Sequence, residues 1–159
     1  MNMVTGLLNR ALSFFCTTLS ILLVVCVVVQ VFSRYVMNAP STLTDELARF
    51  LFIWVGLMGA AYALGQKRHL AIDLLVMKLE NKPRQLNFLK LLISVISMAF
   101  AAIIMVYGGG SLMLKTLATG QISPSLGIEM GIVYAAIPLS GCFMLIYLFA
   151  EFLQQLSTN

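Results

Sequence analysis

Apolar residues run along this chain in four long blocks, separated by short polar connections, with almost no ionisable side chain inside any block. The blocks cover about residues 11–33, 47–65, 83–114 and 130–153. At 1.5 Å per residue the first reaches about 34 Å, enough to cross a hydrocarbon core of roughly 30 Å with some tilt. The third would reach about 48 Å, so its first turns, with Arg84, Asn87 and Lys90, are expected to project beyond the bilayer. A shorter apolar stretch over about 70–80 cannot cross. As a helix it gathers Asp73 and Glu80 on one narrow stripe, which suits a segment lying along the membrane interface. The pattern predicts an all-α integral membrane protein: a single membrane domain over 1–159, with four transmembrane helices and a short interfacial cytoplasmic helix between spans two and three.

Composition agrees. Hydrophobic residues make up 60% of the chain and charged ones 10%, against about 25% charged in soluble domains. Four spans consume most of 159 residues, which leaves no room for a soluble catalytic domain. The net charge of +4 does not mark a nucleic-acid binder, because the basic residues sit beside apolar spans, where they face anionic membrane lipid and set topology. Arg10, Lys67, Arg68, Lys78, Lys82, Arg84 and Lys90 fall on the side shared by the two termini and the 66–87 connection, and only Arg34, Arg49 and Lys115 on the other. The asymmetry predicts that both termini are cytoplasmic. The first block is too long for the apolar core of a signal peptide, and is expected to be a retained anchor. Cys16, Cys26 and Cys142 all fall within spans, where thiols behave as small hydrophobes, and they outline no disulfide framework.

Ionisable residues inside a membrane segment are functional candidates by default. Span one offers only Gln30, span three its Lys90 and span four Glu151 near its end. Arg49 lies one turn into span two, with Asp45 at i−4 and Glu46 at i−3, and Arg34 closes the preceding span. Thr42, three residues before Asp45, is expected to start the helix as a variant capping box, with the acids in its first turn. Two readings stand: a neutralised rim cluster in which Glu46 holds the Arg49 charge, or a docking point for a partner. His69, the only histidine, is expected at the cytoplasmic interface with Asp73, since one histidine at a loop boundary cannot supply the axial ligands of a membrane haem. No cofactor, metal site or catalytic set is expected. Gly56, Gly59, Ala60 and Ala63 form small-xxx-small pairs that permit close helix packing. Gly108, Gly109 and Gly110 are expected to weaken span three and let it end. Trp54, Tyr62, Phe50 and Phe52 read as lipid or partner contacts, and Pro138 is expected to kink span four.

Several stretches together resemble the small membrane subunit of tripartite ATP-independent periplasmic (TRAP) transporters, the DctQ-like family. They are Arg34-Tyr35-Val36, then Thr44-Asp45-Glu46-Leu47-Ala48-Arg49-Phe50-Leu51-Phe52-Ile53-Trp54 with Gly59-Ala60-Ala61, then His69 and Asp73-Leu74-Leu75. Ser123-Pro124, Leu126-Gly127-Ile128 and Tyr134-Ala135-Ala136-Ile137-Pro138 continue the likeness over nearly the whole length. Leu43, Glu129 and Gly131 depart from the family pattern. The resemblance implies a three-protein system in the bacterial inner membrane. A periplasmic substrate-binding protein captures an organic acid of the sialic acid or C4-dicarboxylate class, with sialic acid preferred. A large elevator-type membrane subunit carries it across with sodium, and this non-catalytic subunit braces the scaffold. The alternatives are an autonomous four-helix transporter of the multidrug type, for which a deep acidic residue is missing, and a membrane enzyme or redox anchor, for which histidines and carboxylates are missing.

Overall fold

The computed structural model describes residues 3–39, 41–66 and 83–157. Among them every regular element is helical, and the one extended feature is an isolated antiparallel bridge between Ile122 and Glu129. The interfacial helix expected over about 70–80, with His69 and Asp73, lies outside the described residues. Among the described residues four helical segments are long and apolar enough to span a membrane: Gly6–Tyr35, Thr42–Gly65, Leu91–Ala118 and Met130–Leu153.

The first helix, α1 (Met3–Tyr35), begins earlier than the apolar block suggests, because Gly6, Leu7 and Leu8 extend the apolar character by most of a turn. It ends in a tight turn in which the Val36 and Met37 amides both donate to the Phe32 carbonyl, at 2.9 and 3.3 Å. Asn38 adopts φ 51° there, a left-handed conformation that asparagine tolerates better than most residues. Helix α2 (Thr42–Gly65) is capped by Ser41, not Thr42: Ser41 has extended backbone (φ −89°, ψ 111°) and its side chain accepts from the Thr44 amide. The expected capping box is therefore shifted by one residue, since the cap must itself lie outside the helix.

Span three is built from α3 (Pro83–Phe100), a π-helical segment (Ala101–Gly108) and α4 (Gly109–Ala118). The glycine triplet does not end it. Gly108 and Gly109 keep right-handed helical dihedrals (φ −65° and −63°), because inside an apolar bundle no water competes for the backbone hydrogen bonds and the helix is the only way to satisfy them. What changes at the triplet is the pitch, from wide π turns back to α. Span four comprises α5 (Met130–Tyr134) and α6 (Ala136–Ser157), interrupted at Ala135. Proline at position 138 has no amide hydrogen to give the Tyr134 carbonyl four residues earlier, and the Ala135 amide is shared between the carbonyls of Gly131 (3.0 Å) and Ile132 (3.3 Å).

In space α2 lies between α1 and α6, and α6 lies between α2 and the third span. Span four is accordingly the most enclosed, with 33% of its apolar window buried against 6% for span one. The core joins Leu12 of α1, Ala61 and Leu64 of α2, Ala101 of the π segment, and Tyr147 and Leu148 of α6. Between α1 and α2, Phe15 meets Trp54 edge to face with centroids 6.1 Å apart, an arrangement favoured by the ring quadrupoles. Trp54 is thus an internal contact, whereas Phe52 is 69% exposed.

Among the described residues the small-residue stripe on α2 meets no other helix closely. Gly56 and Gly59 have no neighbour within 4 Å of a would-be Cβ, and Ala60 and Ala63 are exposed. Close approach occurs at other glycines. A Cβ on Gly141 would sit 2.7 Å from Met105 Cβ, and one on Gly65 would sit 2.6 Å from the Tyr147 ring and 2.7 Å from Asn9 Oδ1.

Candidate functional rim

Four of the polar residues that the sequence singles out, Gln30, Asp45, Glu46 and Arg49, meet at one end of the bundle, where α1 ends, α2 starts and the 119–129 connection folds over. Asp45 lies in the first turn of α2, where its charge opposes the positive end of the helix dipole. One carboxylate oxygen accepts from Gln30 Nε2 at 2.6 Å, across from α1, and the other from Arg49 Nη2 at 2.7 Å. Gln30, the one amide side chain of span one, is thereby tied to the start of span two. The Arg49 side chain is 74% exposed, so the pair is a surface i,i+4 bridge of the kind that stabilises by about 0.3–0.5 kcal/mol. Arg49 therefore takes Asp45 as its partner, not Glu46. Among the described residues this is the one ion pair, and Arg34, exposed at the end of α1, does not join it.

Glu46 has a different task. Its Oε2 accepts from the backbone amides of Ser125 (2.9 Å) and Leu126 (3.0 Å), some 79 and 80 residues away in sequence. The receiving loop is a small, fully determined object. The Ser123 amide donates to the Ile128 carbonyl (2.8 Å), the Met130 amide to the Gln121 carbonyl (2.9 Å) and the Gly127 amide to the Ser123 carbonyl (3.0 Å). Gly127 turns with φ +66°, a conformation suited to glycine. The buried Ser123 hydroxyl oxygen also accepts from Leu126, at 3.1 Å. The loop thus leaves two adjacent amides pointing at one place, and a carboxylate on the neighbouring helix fills it with charge-assisted hydrogen bonds.

The rim therefore consists of two separate devices. Gln30, Asp45 and Arg49 lock α1 to α2, and Glu46 locks α2 to the loop between spans three and four. Ser123, Ser125 and Leu126 enter only through the structure. Their signal in the sequence is a turn-forming Ser-Pro-Ser-Leu-Gly run whose amides need acceptors, but nothing local says that the acceptor is Glu46. Pro138 lies beside Gly109 of span three, where an added Cβ would come within 3.3 Å of its Cδ, and takes no part in the rim.

Comparison with known proteins agrees with this architecture. The family described as tripartite ATP-independent periplasmic transporters, DctQ component, matches residues 23–158. The chain belongs to the DctQ family. As a DctQ component of a TRAP transporter it is a membrane transport subunit and not an enzyme. A Haemophilus influenzae protein carrying the name TRAP transporter small permease is 28% identical over 84% of this chain and 80% of its own length. The Vibrio cholerae sialic acid TRAP transporter small permease protein SiaQ is 31% identical over 72% of this chain, and the Rhodobacter capsulatus C4-dicarboxylate small permease DctQ is 33% identical over 63%. This DctQ chain spans 64% and 43% of those two relatives. A stretch of 80 residues is also 34% identical to 13% of the Haemophilus influenzae sialic acid TRAP transporter permease protein SiaT, so a DctQ-like segment occurs within a much longer permease.

Proposed function

We propose that this DctQ subunit braces the stationary scaffold of a large elevator-type membrane subunit, in sodium-coupled uptake of an organic acid delivered by a periplasmic binding protein. The substrate belongs to the sialic acid or C4-dicarboxylate class, the two that the small permease relatives name. Both termini are cytoplasmic, and the Glu46 rim faces the periplasm and the binding protein. The seven-to-three distribution of Lys and Arg supports this orientation. The match within SiaT supports one small subunit for each large one.

The observation that carries the bracing role is an interior that, among the described residues, holds no charged side chain, its unpartnered buried polar atoms being only Asn9 Oδ1, Ser94 Oγ and Tyr147 Oη. Carrier sites need polar groups or broken helices converging at mid-membrane. Two irregular segments do face each other here, the π segment of span three and the Ala135–Pro138 break of span four. They meet, however, through Met105 and Val106 against Gly141, and Ile137 against Gly109, with no charged group between them. The Ser140 hydroxyl is already used by the Ile137 carbonyl at 2.9 Å. Such contacts hold helices together and offer nothing to an ion or an acid.

The test is reconstitution. Liposomes containing this chain alone take up no substrate, those containing the large subunit with this chain and the binding protein take it up in a sodium gradient, and omitting this chain lowers uptake. Uptake by the chain alone, or full uptake without it, overturns the proposal.

A further inference from the structure

We propose that one internal water binds between Asn9 of α1 and Tyr147 of α6, beside Gly65 at the end of α2, and ties these helices together at the end of the bundle opposite the rim. The Asn9 Oδ1 and Tyr147 Oη atoms are buried, and neither has a hydrogen-bond partner among the described residues. Tyr147 as a whole is only 6% exposed. Taking an amide oxygen and a phenol out of water without replacing their hydrogen bonds is costly. Buried polar groups of folded proteins are accordingly paired, either with protein or with ordered water.

The two side chains converge on one point. A Cβ on Gly65 would sit 2.6 Å from Tyr147 Cζ and 2.7 Å from Asn9 Oδ1, so the glycine leaves open the space into which both reach. The two oxygens do not bond each other, and two hydrogen bonds of about 2.8 Å each, meeting at one water, span such a gap. The donor and acceptor chemistry fits. Asn9 Oδ1 can only accept, whereas the tyrosine hydroxyl both donates and accepts, so a water gives one hydrogen to the amide oxygen and takes the hydrogen of the phenol. A cation would call for several more oxygen ligands than these two. Asn9 is followed by exposed Arg10, and Gly65 by exposed Gln66, which puts the site one residue from polar surface and lets water enter from that side. The link matters most to α1, which packs chiefly on α2 and is the least enclosed of the four spans. Gln30 fixes its rim end to α2, and the water fixes its other end to α6, where Leu12 already joins the cluster around Tyr147.

The test is crystallography of the full-length chain grown from a lipid phase, at a resolution that shows ordered water, for wild type and for Tyr147→Phe, which keeps the ring and removes only the hydroxyl. Wild type is expected to show one water peak within about 3.2 Å of both oxygens, and Tyr147→Phe to have lost it with the ring in place. A wild-type site without the peak overturns the proposal, as does one in which the two side chains bond each other or another protein group directly. Thermal unfolding in detergent gives a second reading in solution. Tyr147→Phe and Asn9→Leu are each expected to lower the melting temperature by about 2–4 °C, because each leaves one buried polar group unpaired. The double variant is expected to melt no lower than the weaker of the two, since the water and both polar groups are then gone together. Single losses that add in the double variant overturn the shared site.

Discussion

Replacing Gly141 by alanine adds one methyl group at the point where α6 backs onto the π segment. The new Cβ would lie 2.7 Å from Met105 Cβ, 3.1 Å from Val106 Cγ2 and 3.3 Å from the Val106 amide nitrogen. The nearest of these is about 0.7 Å inside ordinary contact. It belongs to an atom fixed to the backbone, so no rotamer change relieves it and the two helices must part. Overpacking of this kind costs about 1–3 kcal/mol, and the helix propensity of alanine over glycine offsets about 1 kcal/mol. The expected net loss is up to about 2 kcal/mol. At about 2–4 °C per kcal/mol for a chain of this size, the melting temperature falls by up to about 8 °C. Gly56→Ala is the control with the same chemistry and the opposite surroundings, since nothing lies within 4 Å of its Cβ; its melting temperature is expected to stay level or rise. Thermal unfolding of the purified protein in one detergent compares the two, and Gly141→Leu extends the series to a larger side chain. If Gly141→Ala melts with or above Gly56→Ala, the close contact between α6 and the π segment is not a determinant of stability and the reasoning fails.

Glu46→Ala is expected to free the 121–129 loop, read as faster hydrogen exchange at the Ser125 and Leu126 amides, with Glu46→Gln intermediate because it keeps an acceptor oxygen but loses the charge; exchange unchanged in both would deny Glu46 its anchoring role. Arg49→Ala, whose partner is Asp45, is expected to leave those two amides as they are. Reporter fusions at Asn159 and near Thr119 are expected to report cytoplasmic and periplasmic locations respectively, and periplasmic activity at Asn159 would reverse the orientation. Deleting Ile104, an exposed residue of the π segment, removes the one-residue excess that a π turn carries over an α turn. It is expected to leave a folded protein by circular dichroism and thermal unfolding, whereas deletion of buried Ala61 in regular α2 is expected to abolish folding.

What the linear pattern could decide was everything that depends on one segment and its solvent. The number of spans follows from the length of apolar runs, because a backbone in hydrocarbon must bond within itself and so must be helical over the full thickness. The family likewise shows in local blocks, above all Thr44–Trp54, and the polar rim residues Asp45, Glu46 and Arg49 were visible as charges at a helix start. Pro138 announced an irregularity in span four, because a missing amide hydrogen is a property of the residue itself.

What remained open depended on which surfaces meet. Gly56, Gly59, Ala60 and Ala63 have the composition of a packing face, yet among the described residues the two glycines have no close neighbour and the two alanines are exposed, while Gly65, Gly109, Gly131 and Gly141 make the close contacts. Small residues permit approach without saying which helix approaches. The glycine triplet of span three was a stop signal by propensity but continues as helix, since at membrane depth neither lipid nor the neighbouring helix offers its amides other partners. Glu46 and Arg49 are neighbours on one helix, and local spacing allowed Arg49 to choose either acid. Only the folding of a loop 79 residues downstream, with two amides in need of an acceptor, assigns Glu46 to the loop and leaves Asp45 to Arg49 and Gln30. Long-range hydrogen bonds of this sort carry no periodicity, so no window on the sequence contains both ends of the interaction.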